Sequence, residues 1–144
     1  MPDSELRRLL AGRAVQQVEA DADSAAASLE EAARHLASAR AITDTDPNGA
    51  YQLLYDAARK AVAAHMLSRG YRATNALGAH AVVARYSAAV LAARTPSATE
   101  LDRLRRRRNR SEYALAFFEP AEVREALGHA EAIVRAVAED LSTR

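Results

Sequence analysis

The sequence contains no cysteine and no tryptophan, and it has few glycines and prolines. The lack of cysteine excludes a disulfide framework, a thiol nucleophile and a zinc–thiolate site. Aromatic residues make up only 5% of the chain, whereas hydrophobic residues, largely alanine and leucine, make up 49%. This balance favours helices over a strand-rich fold, because alanine and leucine are strong helix formers and strands are enriched in aromatic and β-branched residues. We therefore expect an all-α protein.

Long apolar runs are also missing from the chain. No segment approaches about eighteen uninterrupted apolar residues, and the N-terminal sequence lacks a basic start followed by an apolar stretch. We therefore expect a cytoplasmic protein with no membrane contact. The length of 144 residues is that of one domain, which we place at residues 1–144.

Helix-breaking residues divide the chain into six helical segments joined by short loops. The predicted helices cover about residues 4–19, 23–42, 46–69, 76–93, 97–117 and 120–141. The third has clear ends, because Asp46 is a suitable N-cap, Pro47 a suitable first residue and Gly70 a suitable terminator. Short joints between long helices favour antiparallel neighbours. The sequence predicts an up-and-down bundle of four to five helices in residues 23–144, with an additional N-terminal helix in residues 1–22.

The most unusual stretch is RLRRRRNRSEY, residues 103–113, which holds six arginines in a chain whose net charge is only +1. At about 100° per residue, the predicted helix of residues 97–117 that contains this stretch has a core-facing stripe. That stripe consists of Leu101, Leu104, Ser111 and Leu115. Arg108 falls within the same sector, and the other positions predict a solvated arginine face. We assign phosphate or other substrate contacts on that face to Arg103, Arg106, Arg107 and Arg110.

Arg108 needs partners if it faces the core, because burying an unpaired charge costs several kcal/mol. Glu112 lies one turn later on nearly the same face and is the nearest candidate partner. Asn109 and Tyr113 lie on the adjoining flank and could share a cleft with Arg108. Two interpretations stay open. In the first, Arg108 is structural and either pairs with Glu112 or reaches the edge of the bundle. In the second, Arg108 belongs to a functional site.

The stretch RNRSEY, residues 108–113, resembles the signature of HEPN domains when it lies on the penultimate helix of a small bundle. That signature is an arginine, often followed by asparagine, and then a histidine after four to six intervening residues. The segment AYQLLYDAARKAVAAHMLSRGYRA, residues 50–73, resembles the family's aromatic-rich second helix. The resemblance covers roughly residues 29–137.

The resemblance implies a homodimer in which two motif helices meet and form a shared basic cleft. Many HEPN domains cleave RNA without a metal or other cofactor, and others bind RNA, nucleotides or a protein partner, often as the toxin of a toxin–antitoxin pair. It also implies that Arg108 holds the scissile phosphate and that Asn109 orients Arg108 or the backbone. A cognate antitoxin or a nucleotidyltransferase is the implied protein partner.

Tyr113 occupies the position at which the family has its histidine. A phenol with an ordinary pKa near 10 can donate a proton at neutral pH but is a poor base. Loss of one acid–base group lowers rates by about 10² to 10⁴. The sequence therefore predicts weak or absent endoribonuclease activity, with Tyr113 stacking on a base or donating to a phosphate instead.

Other candidates carry weaker signals. The histidines, His35, His65, His80 and His129, have no metal-ligand spacing, so a structural or surface role is favoured for each, and only His65 and His80 lie on helices expected to be neighbours. A basic DNA-binding region is disfavoured because residues 117–120 break the helix after the arginines. The remaining alternative is a non-catalytic helical module for dimerisation or protein interaction.

Overall fold

The computed structural model describes residues 2–74, 78–113 and 117–143, without the side chains of residues 2, 3 and 111–113. Its helices are α1 (Pro2–Ala11), α2 (Ala22–Ile42), α3 (Pro47–Ser68), α4 (Ala79–Tyr86), α5 (Leu101–Tyr113) and α6 (Pro120–Ser142). Two short strands, β1 (Val15–Gln17) and β2 (Tyr71–Ala73), form an antiparallel pair. The predicted all-α bundle is confirmed, since this small pair is the only sheet within the described ranges.

Helix α3 is the centre of the bundle and packs against α2, α4, α5, α6 and β2. It is buried along most of its length and not only on one stripe, as expected for a helix enclosed by neighbours. Asp46 caps it by accepting a hydrogen bond from the Gly49 amide at 3.0 Å, and Pro47 is its first residue. Gly70 follows its end with a positive φ of 85°. The predicted ends of this helix are confirmed.

The N-terminal helix is shorter than predicted. Helix α1 ends at Ala11, and Arg13 adopts a positive φ of 60° before β1 begins. The prediction of a helix to residue 19 is therefore wrong in its second half. The strand forms because β2 supplies its hydrogen-bonding partner, with Val15 opposite Ala73, and because Val15 is buried in the core. Because β2 lies far from β1 in the sequence, no local sequence pattern predicts this strand.

The fourth and fifth helices also differ from the predicted continuous segments. Helix α4 gives way to a π-helical turn at Ser87–Leu91, where the Ser87 hydroxyl donates to the Ala98 carbonyl at 2.9 Å. A 3₁₀ turn at Pro96–Glu100 then leads into α5. Helix α5 therefore begins at Leu101, four residues later than predicted.

Helices α2 and α6 flank α3 and have the predicted bounds to within a residue or two. On α6 the apolar stripe faces inward, with Val123, Leu127, Ala130 and Val137 buried. On α2 the Asp21 side chain caps the first turn by accepting from the Ser24 amide at 2.9 Å. Within the described residues, none of the helices combines the length and apolar character that a bilayer crossing requires.

Candidate nucleic-acid interface

Helix α5 is anchored to the core by Leu101 and Leu104, which are both fully buried. These two leucines confirm the predicted stripe in its described part, and the side chains of Ser111 and Leu115 lie outside the described residues. Because the leucines fix the rotation of α5 about its axis, they also decide where each arginine points.

Arg108 is half-buried and lies over an aromatic ring of α3. Its guanidinium carbon is 4.8 Å from the ring centroid of Tyr55, which is a cation–π contact. Tyr55 itself is 1% exposed. The structure thus places Arg108 against the bundle, as its position on the apolar sector predicts.

Arg107 departs from the predicted solvated face. Its side chain is only 16% exposed and forms a two-point ion pair with Glu122 on α6, at 2.7 and 3.1 Å. Its guanidinium carbon also lies 3.9 Å from the ring centroid of Phe118, which stacks on Tyr51. The reason is tertiary, because Glu122 in the first turn of α6 and Phe118 just before that helix lie beside α5. Arg107 is therefore a structural link between the two helices.

Tyr51 belongs to the same structural link. Its ring centroid is 4.0 Å from that of Phe118, and its hydroxyl donates to the Leu104 carbonyl at 3.4 Å. Burial raises the pKa of Tyr51 to about 12, so this phenol stays protonated. This side of α5 is occupied by packing and is closed to a ligand.

The arginines that do face solvent are Arg103, Arg106 and Arg110. Arg103 pairs with Glu100 at 2.7 Å and Arg106 with Asp102 at 3.0 Å, both within α5 or the turn before it. Exposed ion pairs of this kind contribute about 0–1 kcal/mol, so a phosphate can replace the carboxylate. The structure therefore leaves three of the four predicted phosphate contacts on an accessible face.

Arg108 is one member of a larger group at the junction of α3, α4 and α5. The ring centroid of His80, near the start of α4, is 6.0 Å from that of Tyr55. Arg59 follows Tyr55 by one turn of α3, and Arg105 precedes Arg108 by about one turn of α5. We call this group, Tyr55, Arg59, His80, Arg105 and Arg108, the motif cluster.

The electrostatics of the motif cluster are those of a basic site. Burial lowers the pKa of His80, and the positive charges of Arg59 and Arg108 lower it further. Burial raises the pKa of Tyr55, and the nearby guanidinium groups oppose that rise. His80 is therefore held toward its neutral form, first by burial and then by the arginines, whose effect on its pKa exceeds the opposing effect of Asp56. A bound anion would offset the contribution of the arginines.

The motif cluster also has unused hydrogen-bonding capacity. The Tyr55 hydroxyl and the Arg59 Nε are buried, and neither has a hydrogen-bond partner among the described residues. A buried polar group left unsatisfied costs about 1–3 kcal/mol, so such groups are rare away from functional sites. Two such groups among the described residues of one cluster make it a candidate binding site.

The remaining predicted site residues are only partly described. Asn109 is half-buried on α5. The side chains of Glu112 and Tyr113 lie outside the described residues, so the Arg108–Glu112 pair and the role of Tyr113 stay predictions. Sequence reasoning missed Arg59, although its one-turn spacing from Tyr55 on α3 is visible, and it set His80 aside.

His65 and His80 do not form a pair, because they face different parts of the bundle. His65 Nδ1 is hydrogen-bonded to the Tyr86 hydroxyl at 2.9 Å, and His65 Nε2 lies 2.6 Å from Asp140 Oδ2. Asp140 is also paired with Arg94. We call this group, Tyr86, His65, Asp140 and Arg94, the His65 chain. Sequence reasoning missed it because its members come from distant segments of the chain.

Metal ligation is not supported by the geometry in the described ranges, where no group of three or more histidine or carboxylate side chains is arranged around a common point. In comparisons with known proteins, no family model matches the chain, and no curated protein or solved structure matches it either. The functional interpretation therefore depends on the motif cluster itself.

Proposed function

We propose that the chain is a HEPN-like, cytoplasmic domain that binds single-stranded RNA through the motif cluster and the exposed arginines of α5. The observation that carries the proposal is the ring of Tyr55 with the Arg108 guanidinium 4.8 Å away on one side and the His80 ring 6.0 Å away. Arg59 and Arg105 are near enough to act on the pKa of both Tyr55 and His80. Arginines bind phosphates through charge and planar hydrogen-bonding geometry, and they stack on unpaired bases. Two such faces in a homodimer form the shared basic cleft.

The local charge balance supports phosphate binding. Arg59 and Arg105 each contact one carboxylate, at 2.6 and 2.8 Å. Each carboxylate also forms an ion pair with a second cationic side chain: Asp56 with Lys60 and Asp102 with Arg106. Lys60 also pairs with Glu31, so four described cations, Arg59, Lys60, Arg105 and Arg106, share three described carboxylates. Phosphate groups would neutralise the remaining positive charge.

Cleavage of RNA by this site is weak or absent in our proposal, because Tyr113 replaces the acid–base histidine. His80 is the one histidine of the motif cluster, and its lowered pKa keeps it neutral near pH 7. In a toxin–antitoxin setting, a cognate antitoxin or a nucleotidyltransferase would cover the same arginine face. A carboxylate-rich surface on that partner would compete directly with RNA.

The second candidate function is a non-catalytic interaction module. An open groove of about 440 Å³ runs between α2 and α6 and is lined mainly by small apolar residues, among them Ala26, Leu29, Ala33, Val134 and Ala138. Phe117 is 80% exposed on another surface. These features favour helix-to-helix contact with another subunit or protein, and they are compatible with RNA binding elsewhere on the bundle.

RNA binding is tested by titrating a fluorescent single-stranded RNA at several salt concentrations with the Arg105→Ala/Arg108→Ala variant. We expect weaker binding and a flatter plot of log affinity against log salt, with the slope reduced by about 0.7 for each lost phosphate contact. The matched control is Arg34→Ala/Arg135→Ala, which removes two exposed arginines that form no ion pair with described residues.

The thermal stability of Arg108→Ala distinguishes a site residue from a structural ion pair. A cleft residue leaves the Tm within a few degrees of wild type, whereas removal of one partner of a buried ion pair destabilises by about 3–5 kcal/mol.

Absence of RNA binding by the wild type at low salt, or equal losses of RNA affinity in the Arg105→Ala/Arg108→Ala variant and its control, would contradict the proposal.

A further inference from the structure

A cavity of about 390 Å³ opens beside the motif cluster, between α2, α3, β2 and α4. Its volume is in the range of small-molecule sites, which begin at about 300 Å³. One wall is apolar and is formed by Ala63, Ala64, Met66, Leu67 and Val83. A flat, weakly polar ring system would pack against this wall.

The ionisable nitrogen groups of the cavity are all basic, and its other polar groups are neutral hydroxyls. Arg59, Arg72 and His80 line it together with Tyr71 and Ser28, and no carboxylate is among the described residues that line it. The cavity at the end of the bundle differs, because Asp140 lines it alongside Arg69 and Arg94. An apolar wall with a cationic rim and no acid selects a ligand that combines a flat apolar body with a negative charge, as a nucleotide does.

The cavity is continuous with the motif cluster because Arg59 and His80 belong to both. The buried Arg59 Nε has no hydrogen-bond partner among the described residues, so a small rotation of the guanidinium would present a donor to a ligand oxygen. The outer rim is accessible, since Arg72 is exposed and donates to the Gln16 side chain at 3.0 Å. A chain of phosphates on the arginines of α5 could therefore continue to this rim.

We propose that this cavity, which we call the base pocket, receives one unstacked nucleobase of a single-stranded RNA whose phosphates lie on the motif cluster. The inference rests on the proposed RNA binding and names the part of the RNA that is recognised. The base lies against the apolar wall with Tyr71 or the Arg72 guanidinium available for stacking, while Arg59 and His80 hold the adjoining phosphate. Stacking and apolar contact are tolerant of base identity, so the pocket adds affinity without strong sequence preference.

The experiment compares binding of a single-stranded RNA with binding of an abasic strand of the same length and charge. Ala63→Phe fills the base pocket without changing charge, and Ala41→Phe, which adds the same volume at an exposed position near the end of α2, is the matched control. We expect Ala63→Phe to lower affinity for the base-bearing RNA about tenfold, to the level of the abasic strand, and to leave abasic binding unchanged. Ala41→Phe should change neither.

Ala79→Phe, which enters the cavity from α4, serves as the second filling variant if Ala63→Phe fails to fold. Unchanged binding of base-bearing RNA by a folded filling variant overturns the base pocket, and it leaves the proposed RNA binding standing if Arg105→Ala/Arg108→Ala still weakens both strands. No binding of either strand by wild type overturns both proposals. Adenosine monophosphate or a fatty acid that binds as tightly as the strand, and loses that affinity in the filling variant, would replace RNA as the occupant and overturn our assignment.

Discussion

Two tyrosine–histidine contacts in this bundle have nearly the same ring geometry and very different surroundings. The rings of His65 and Tyr86 are 5.8 Å apart at 56°, and those of Tyr55 and His80 are 6.0 Å apart at 48°. In the first contact the phenol and imidazole are hydrogen-bonded at 2.9 Å. In the second, the Tyr55 hydroxyl has no hydrogen-bond partner among the described residues.

The charged neighbours of the two contacts also differ. His65 faces the carboxylate of Asp140, which Arg94 pairs in turn, so the His65 chain is a complete sequence of donors and acceptors. His80 has the guanidinium groups of Arg59, Arg108 and Arg105 near it, and one carboxylate, Asp56, opposes their effect on its pKa. A completed polar chain stabilises a unique packing, whereas an incomplete one with excess charge retains interactions for a ligand. Buried polar groups that have no hydrogen-bond partner among the described residues therefore indicate a candidate site better than the burial of a histidine does.

The largest expected effect is on the completed chain. Asp140→Ala removes the carboxylate that holds both His65 and Arg94, and His65 is 2% exposed. We expect a loss of about 3–5 kcal/mol in the free energy of unfolding, measured by urea titration. Asp44→Ala is the control, because Asp44 pairs with Arg124 on the open surface and should lose about 0–1 kcal/mol. Equal losses in the two variants would mean that the His65 chain does not stabilise the fold.

A pair of tyrosine-to-phenylalanine variants compares the two contacts directly. Tyr86→Phe leaves a buried nitrogen of His65 without its partner and should destabilise by about 1–3 kcal/mol. Tyr55→Phe removes a hydroxyl that has no partner among the described residues and should be neutral or slightly stabilising. Both are measured by thermal and urea unfolding. A Tyr55→Phe protein as destabilised as Tyr86→Phe would show that Tyr55 already has a structural partner.

Much of the fold follows from local signals in the sequence. The ends of α3 were predicted from Asp46, Pro47 and Gly70, and the stripe of α6 from its periodic apolar residues. What the sequence did not predict is the part that depends on distant partners. The strand β1 exists because β2 pairs with it, and Arg107 turns inward because α6 places Glu122 beside it.

The candidate site shows the same division. The inward direction of Arg108 follows from helical geometry alone, because Leu101 and Leu104 fix the face of α5. Tyr55, Arg59 and His80 join Arg108 only when α3, α4 and α5 have packed together, and no spacing within one segment encodes that convergence. Residues of one helix face could be predicted, whereas a cluster assembled from three helices could not.

The smallest expected effect is the pH dependence that His80 contributes. Burial, followed by the charges of Arg59 and Arg108, holds the pKa of His80 below its ordinary value of 6.5. The unfolded chain therefore binds a proton at higher pH than the folded one, so the contribution of His80 to stability is fully present above about pH 6.5 and is lost as the pH falls toward the folded pKa.

We therefore expect the free energy of unfolding of wild type to decrease between about pH 7.5 and about pH 5, and His80→Gln to remove part of that decrease. In Arg108→Ala the decrease should become smaller but persist, because burial is the larger cause. Unfolding titrations at several pH values measure all three proteins. If His80→Gln keeps the full wild-type decrease, a different group titrates in this range. The contrast between a histidine held by a carboxylate and a histidine surrounded by arginines would then lose its electrostatic basis.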